Sequence, residues 1–252
     1  MNPSPPGSGT RQNPLRTLAI LPVLAAQAAW VAARTPRLPE AAGPRSGRAG
    51  SGPVLRLLVV GDSSAAGVGV AHQSEALSGQ LVRALAPDFD VAWKLVARSG
   101  ATTAGALARL LREPPAAFDV ALTALGVNDV KNGVPPGRWL DRTEALHAAL
   151  RDRFGVRLVV ASGLPPMGSF PALPGALRRF LGARAERFDA ALRARFGGRP
   201  GTVILPGDIP LDAAGMAPDG FHPGSAVCAD WAARAAAAIR RARDDRLFAP
   251  RP

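Results

Sequence analysis

The stretch Leu57–Val70 reads LLVVGDSSAAGVGV and decides how the rest of the chain is read. It closes the apolar run VLRLLVV at 54–60 and passes directly into a glycine, an acid and two serines. An apolar run of this length ending in turn residues predicts a strand buried on both faces, followed by a tight loop. Such a loop either cradles a phosphate or holds up a nucleophile. A P-loop would close on Gly-Lys-Ser or Gly-Lys-Thr, and no lysine occurs here. The dinucleotide fingerprint needs a third glycine, but Gly67 and Gly69 are followed by Gln73 and Ser74 where the pattern should have closed. The nucleophile reading is the one with support.

Working outward, four more apolar runs follow: 90–96 DVAWKLV, 119–125 DVALTAL, 156–162 VRLVVAS and 202–205 TVIL. They are rich in Val and Leu with little polar alternation, the pattern of strands covered on both sides. Helical segments are expected near 73–86, 103–112, 138–153, 174–196 and 224–243. The βα alternation predicts an α/β fold, a three-layer α/β/α (flavodoxin-like) arrangement around a five-stranded parallel sheet. Chemistry in such sheets gathers beyond the carboxyl ends of the strands.

The residues after those strand ends are chemically loaded. GDSS (61–64) follows the first run, ARSGATTAG with Gly100 the second, GVND (126–129) the third, and DGFHPG with Asp219 and His222 comes after the fifth. A serine hydroxyl attacks an acyl carbon only when a base takes its proton. A histidine is the natural base near neutral pH, and a carboxylate must fix its tautomer. Asp219 and His222, three apart in a turn with Gly220 and Pro223, supply both from one local unit. The oxyanion of a tetrahedral intermediate needs donors. The Ser63 amide, the unobstructed Gly100 amide and the Asn128 side-chain NH₂ are the candidates. Every role is filled without a metal or a cofactor.

These four blocks resemble the SGNH hydrolases, or GDSL-type esterases and lipases, whose name lists a Ser, a Gly, an Asn and a His, here Ser63, Gly100, Asn128 and His222. The resemblance spans about residues 55–243, in matching order and spacing. It implies a three-layer α/β/α fold with a parallel sheet and cofactor-free hydrolysis of acyl esters, thioesters, lysophospholipids or acetylated sugars. Ser64 stands where the GDSL consensus has leucine, which bears on substrate class rather than chemistry. The expected function is a serine esterase working through an acyl-enzyme on Ser63. Its rivals are an acyltransferase using the same site and a non-catalytic basic module binding anionic lipid or nucleic acid.

Each block alone is an ordinary turn; the case rests on all four together. Asp62 is expected to bond backbone amides of its turn, and Asp129 to be structural or solvated. Ser64 and Ser99 have weaker claims as nucleophile. His72 and His147 follow no strand end, and His147 is expected on the polar flank of its helix. Cys228 is expected in the core of the last helix. Met167, Phe170 and Pro171 either line an acyl pocket or form an ordinary loop over the core.

The 252-residue chain is 47% hydrophobic, enough for a sizeable core, and its one cysteine excludes an internal disulfide. The net charge of +12 is carried by arginines spread along the chain, with only two lysines, Lys94 and Lys131, and no RNA-binding signature. No nucleic-acid partner is expected. A basic surface of this kind favours anionic membranes or substrates. The domain is expected over 54–243 and a tail over 244–252. Residues 1–53 divide into a Pro/Gly/Ser-rich start expected to be disordered, an apolar segment at 18–33 and a linker at 34–53. The apolar segment holds sixteen uncharged residues between arginines, short of the about 20 needed to span a bilayer. Three readings stand: a cleaved signal peptide, a helix lying in a membrane interface through residues 15–37, or a helix packed on the domain. The first two favour a membrane-associated or exported (periplasmic) protein over a soluble cytoplasmic one.

Overall fold

A computed structural model describes residues 14–209, 214–246 and 248. The first β-strand of the domain core, β2 (Val54–Gly61), is buried over nearly its whole length. Its side chains alternate: Leu55, Leu57 and Val59 join one apolar cluster, while Leu58 and Val60 join another. That period of two is what demands a helical layer on each face. β3 (Asp90–Ala97), β4 (Val120–Ala124), β5 (Leu158–Ser162) and β6 (Thr202–Leu205) complete the parallel sheet, in the order β3-β2-β4-β5-β6. These are the five strands expected from the apolar runs.

Helices α2 (Leu77–Leu85) and α7 (Ser225–Asp244) cover one face, packing Leu77, Leu81, Ala235 and Ile239 against Leu57, Val59 and Leu122. Cys228 lies buried in α7, as expected. Helices α3 (Thr103–Leu110) and α5 (Pro136–Phe154) cover the other, with Leu110, Leu146, Leu150 and Phe154 against Leu58, Val60 and Val159. A short α4 (Val127–Lys131) follows β4, and the long α6 (Gly175–Phe196) packs beside β6. The chain turns from β2 to β3 on one side and to β4 on the other. The topological switch point therefore lies at the carboxyl ends of β2 and β4, where ligand crevices form in such sheets.

Two features depart from the expectations. The sheet has six strands, because β1 (Ser46–Ala49), inside the stretch read as a linker, pairs antiparallel with β3 along its edge. All four of its residues are exposed, so no apolar alternation marked it as a strand. It is held instead by its backbone ladder and by Arg48, whose Nε donates to both carboxylate oxygens of Asp90 at 2.7 and 2.8 Å. His147 is the second correction: it lies in the interior, only 1% exposed, not on a polar flank. Trp139, Thr143, His147, Leu150 and Phe154 recur at helical spacing and form the buried stripe of α5. The His147 ring packs on Phe196 at 5.1 Å between centroids.

Preceding the sheet, α1 (Pro14–Arg34) crosses the carboxyl-end face and packs against α6. No described helix is long and apolar enough to cross a membrane. Of the Pro/Gly/Ser-rich start at 1–14, all but Pro14, which opens α1, lies outside the described residues, as does most of the tail at 244–252.

Candidate active site

Gly61, the last residue of β2, sets the position of the first loop. A Cβ there would lie 2.4 Å from the Ala65 Cβ and 2.9 Å from the Ala124 carbonyl oxygen, so only glycine lets the loop fold back this tightly. The loop is a compact turn over 62–70 rather than a regular helix. It is closed by Ala66 N donating to Asp62 O at 2.9 Å and Val68 N to Ser63 O at 3.0 Å. Asp62 Oδ1 accepts from the Ser64 amide at 3.1 Å, as the turn reading anticipated. Ser63 is left at the head of this turn, facing a cavity.

His222 reaches the same point from the far side of the chain. Its loop is braced as a small two-stranded bridge between Met216 and Pro223, with Ala217 N donating to His222 O at 2.8 Å. Asp219 sits at the loop's tip and folds back on it. Its Oδ1 accepts from the Phe221 and His222 amides at 2.9 and 3.0 Å, and its Oδ2 lies 2.6 Å from His222 Nδ1. Burial alone would raise the Asp219 pKa, but the hydrogen bonds from the His222 ring and from these amides outweigh it and hold the carboxyl below its ordinary value. An ionised carboxylate on Nδ1 places the ring proton there. Nε2 is then left as the acceptor, 2.9 Å from Ser63 Oγ. A hydroxyl, an imidazole and a carboxylate, 159 and 3 residues apart, form one hydrogen-bonded line.

Two further loops border the same space. Gly100 lies in the turn after β3 at φ +75°, a left-handed conformation, and no atom would come within 4 Å of a Cβ built on it. Asn128 is buried in the first turn of α4. Its Nδ2 lies 3.1 Å from the Ala101 carbonyl and 3.3 Å from Asp62 Oδ2. Asp62 is thereby tied to two walls of the site. Burial pushes its pKa up to about 6, against the opposing pull of the Ser64 amide.

Ser63, Gly100, Asn128, Asp219 and His222 all line a single cavity of about 780 Å³. The structure thus brings together every candidate taken from the sequence. Ser64 and Ser99 border it too, but the Ser99 amide is engaged by Glu40 Oε1 at 2.7 Å. His72 bonds Ser74 at 3.0 Å and is not on the cavity wall. Asp129 accepts from the Thr103 amide and hydroxyl at 2.8 and 2.9 Å, a structural tie between α3 and α4. Of the three loop residues after β5, Phe170 lies on the wall, Met167 is buried in the core beneath it, and Pro171 points to solvent.

Residues 59–244 match the family of GDSL-like lipases and acylhydrolases. The chain belongs to that family. A GDSL-like esterase of Mycobacterium tuberculosis is 28% identical to it over 226 residues, covering 80% of this chain and 70% of the relative. The crystal structure of TesA, 25% identical, superposes with a TM-score of 0.56 over 74% of this chain and 98% of its own. Est24, a carbohydrate acetylesterase from Sinorhizobium meliloti, shares the fold at 13% identity and a TM-score of 0.54, covering 74% of this chain and 99% of its own. As a GDSL-type hydrolase the protein acts on ester bonds.

Sequence reasoning missed the part of the cavity wall that comes from α1. Leu21, Leu24, Ala28 and Val31 of that helix line it, as do Pro36 and Arg37 beyond it. Trp231 of α7 was also missed on the wall; its Nε1 donates to Ser162 Oγ at 2.9 Å. The available signal was the almost wholly apolar make-up of 18–33, which favours burial of at least one face.

Proposed function

We propose that this GDSL-type hydrolase cleaves carboxylic acyl esters through an acyl-enzyme on Ser63. The hydrogen-bonded line from Ser63 Oγ through His222 to Asp219 carries the reading. His222 Nε2 takes the hydroxyl proton as Oγ attacks the ester carbonyl carbon. Asp219 keeps the ring in the correct tautomer and stabilises the imidazolium. The negative oxygen of the tetrahedral intermediate is received by the Ser63 and Gly100 amides and by Asn128 Nδ2, which exchanges a present partner for it. His222 returns its proton to the departing alcohol, and the C–O bond of the ester breaks. Water, deprotonated by the same imidazole, then releases the acid and restores Ser63.

A fluorophosphonate probe should label the wild-type protein at Ser63, and p-nitrophenyl acetate should be hydrolysed. Ser63→Ala should remove both, with kcat falling by about 10⁶-fold if the three side chains act as a unit. Hydrolysis surviving in that variant with its fold intact would sink the reading.

We also read α1 as the element that meets an anionic membrane surface. Ile20, Val23 and Trp30 are large apolar residues left 42–50% exposed on it, and the Arg34 guanidinium stacks over the Trp30 ring at 5.3 Å. An aromatic flanked by arginines suits the headgroup level of a bilayer. Sedimentation with phosphatidylglycerol vesicles, weakened at least about tenfold in Trp30→Ala and by high salt, is the expected result. Equal binding to neutral phosphatidylcholine vesicles, or none to either, would refute it.

A further inference from the structure

The cavity over Ser63 is chemically lopsided. Its polar lining includes the cluster Ser63, Asn128 and His222, together with Thr35, Arg37 and Lys131. Most of the remaining wall is apolar: Phe170, Leu173, Leu177 and Leu181, with Leu21, Leu24 and Val31 from α1. At about 780 Å³ the space stands toward the top of the range for ligand pockets, about 300–1,000 Å³. A two-carbon acyl group would leave most of it unfilled.

The way α1 is attached explains what the remaining space is for. Within 18–33 Gln27 is the one residue with a polar side chain. Its Oε1 accepts from the Leu177 amide at 2.8 Å, in the first turn of α6. That amide is one of those a helix start leaves without a partner inside the helix, so the contact fixes both the register and the height of α1 over α6. Leu24 is driven into the cluster containing Leu173, Leu177 and Leu181, and Val31 packs beside it. Residues 24, 27 and 31 form a single stripe down the helix. Leu21 borders the cavity yet remains 47% exposed, so this part of the wall lacks an apolar neighbour.

We propose that α1 is the roof of an acyl-chain site, and that Leu21, Leu24, Ala28 and Val31 select esters of medium and long fatty acids over acetate. This deepens the Ser63 reading and rests on it. An acyl chain leaving the Ser63 carbonyl would run between α1 and α6. Each methylene seated there multiplies kcat/KM by about fourfold until the site is full. The bulk of the residue at position 28 then sets how far the chain can extend.

The test uses the full-length chain and p-nitrophenyl esters from acetate to decanoate. Wild type should favour octanoate over acetate by at least about tenfold in kcat/KM. Ala28→Trp, which adds a large ring to the roof, should lower that ratio at least about tenfold. Gln27→Leu, which removes the tether while keeping the helix apolar, should lower it by raising KM for octanoate. A flat chain-length series in wild type, or an octanoate:acetate ratio within twofold of wild type in both variants, would overturn the proposal. If that happens while the fluorophosphonate probe still labels Ser63, the roof alone is refuted. If the probe fails to label and no ester is cleaved, the Ser63 reading falls and takes the roof with it.

Discussion

The two ends of the cavity are held by different forces. At the Ser63 end the residues are held largely by directional contacts. The turn over 62–70 is closed by its own amides, Asp219 is gripped by two backbone N–H groups and a ring nitrogen, and Asn128 bridges to Asp62. At the α1 end one side-chain hydrogen bond and one leucine that is 5% exposed do most of the holding. The contrast follows from what each end has to accomplish. Proton transfer needs heavy atoms within about 3 Å and correctly aimed, whereas seating a hydrocarbon chain depends on area and tolerates slack.

The sharpest way to break this comparison is at the carboxylate. Asp219→Asn keeps the size of the side chain but presents an amide to His222 Nδ1, favouring the wrong tautomer. A loss of about 10⁴ in kcat with an unchanged fold is expected, measured on p-nitrophenyl acetate. A loss below tenfold would mean that the aimed contact at that end is not needed.

A second region supplies a control for the rule that polar groups here are paired. Neither ring nitrogen of His147 has a hydrogen-bond partner among the described residues, and burial, reinforced by the positive charges of Arg151 and Arg199, pushes its pKa down to about 4. The folded state therefore holds it neutral, while the unfolded chain protonates it at about 6.5. Stability is unaffected above that pH and declines as pH falls from about 6.5 to 4, by on the order of 3 kcal/mol. Denaturant titrations at pH 7 and pH 4 should show His147→Leu losing less stability between the two than wild type. Asp62 works in the opposite direction, since its raised pKa makes ionisation costly as pH rises from about 4 to 6.

The smallest effect is expected at the loosely held end. Leu24→Ala should shift the unfolding midpoint of the domain by no more than about 2 °C, because Leu24 belongs to the cluster around α6 and not to the two that cover the sheet. A fall as large as that for a core leucine would show α1 to be an integral part of the fold.

Much of this is legible in the amino-acid sequence. The five parallel strands were written in runs of Val and Leu, because a strand covered on both faces must be apolar at nearly every position. Ser63, Gly100, Asn128 and the Asp219–His222 pair could be read from where they fall after those strands. His147 could not, since it shares its helix with Arg151 and Arg153, and the helical face it occupies depends on what α6 presents. β1 was illegible for the opposite reason: SGRA is exposed at every position and carries no pattern at all.

The amino-acid sequence by itself determined the layers, the order of the loops and the chemical identity of the groups on them, since period-two burial and turn chemistry are settled between near neighbours. Tertiary structure alone decided the 2.9 Å approach of residues 63 and 222, the sixth strand and the place of α1. A helix with a single Gln in an otherwise apolar run has only a weak preference for one face. Its position is chosen by the surface it meets, here the open cavity beside α6 and the free amide of Leu177.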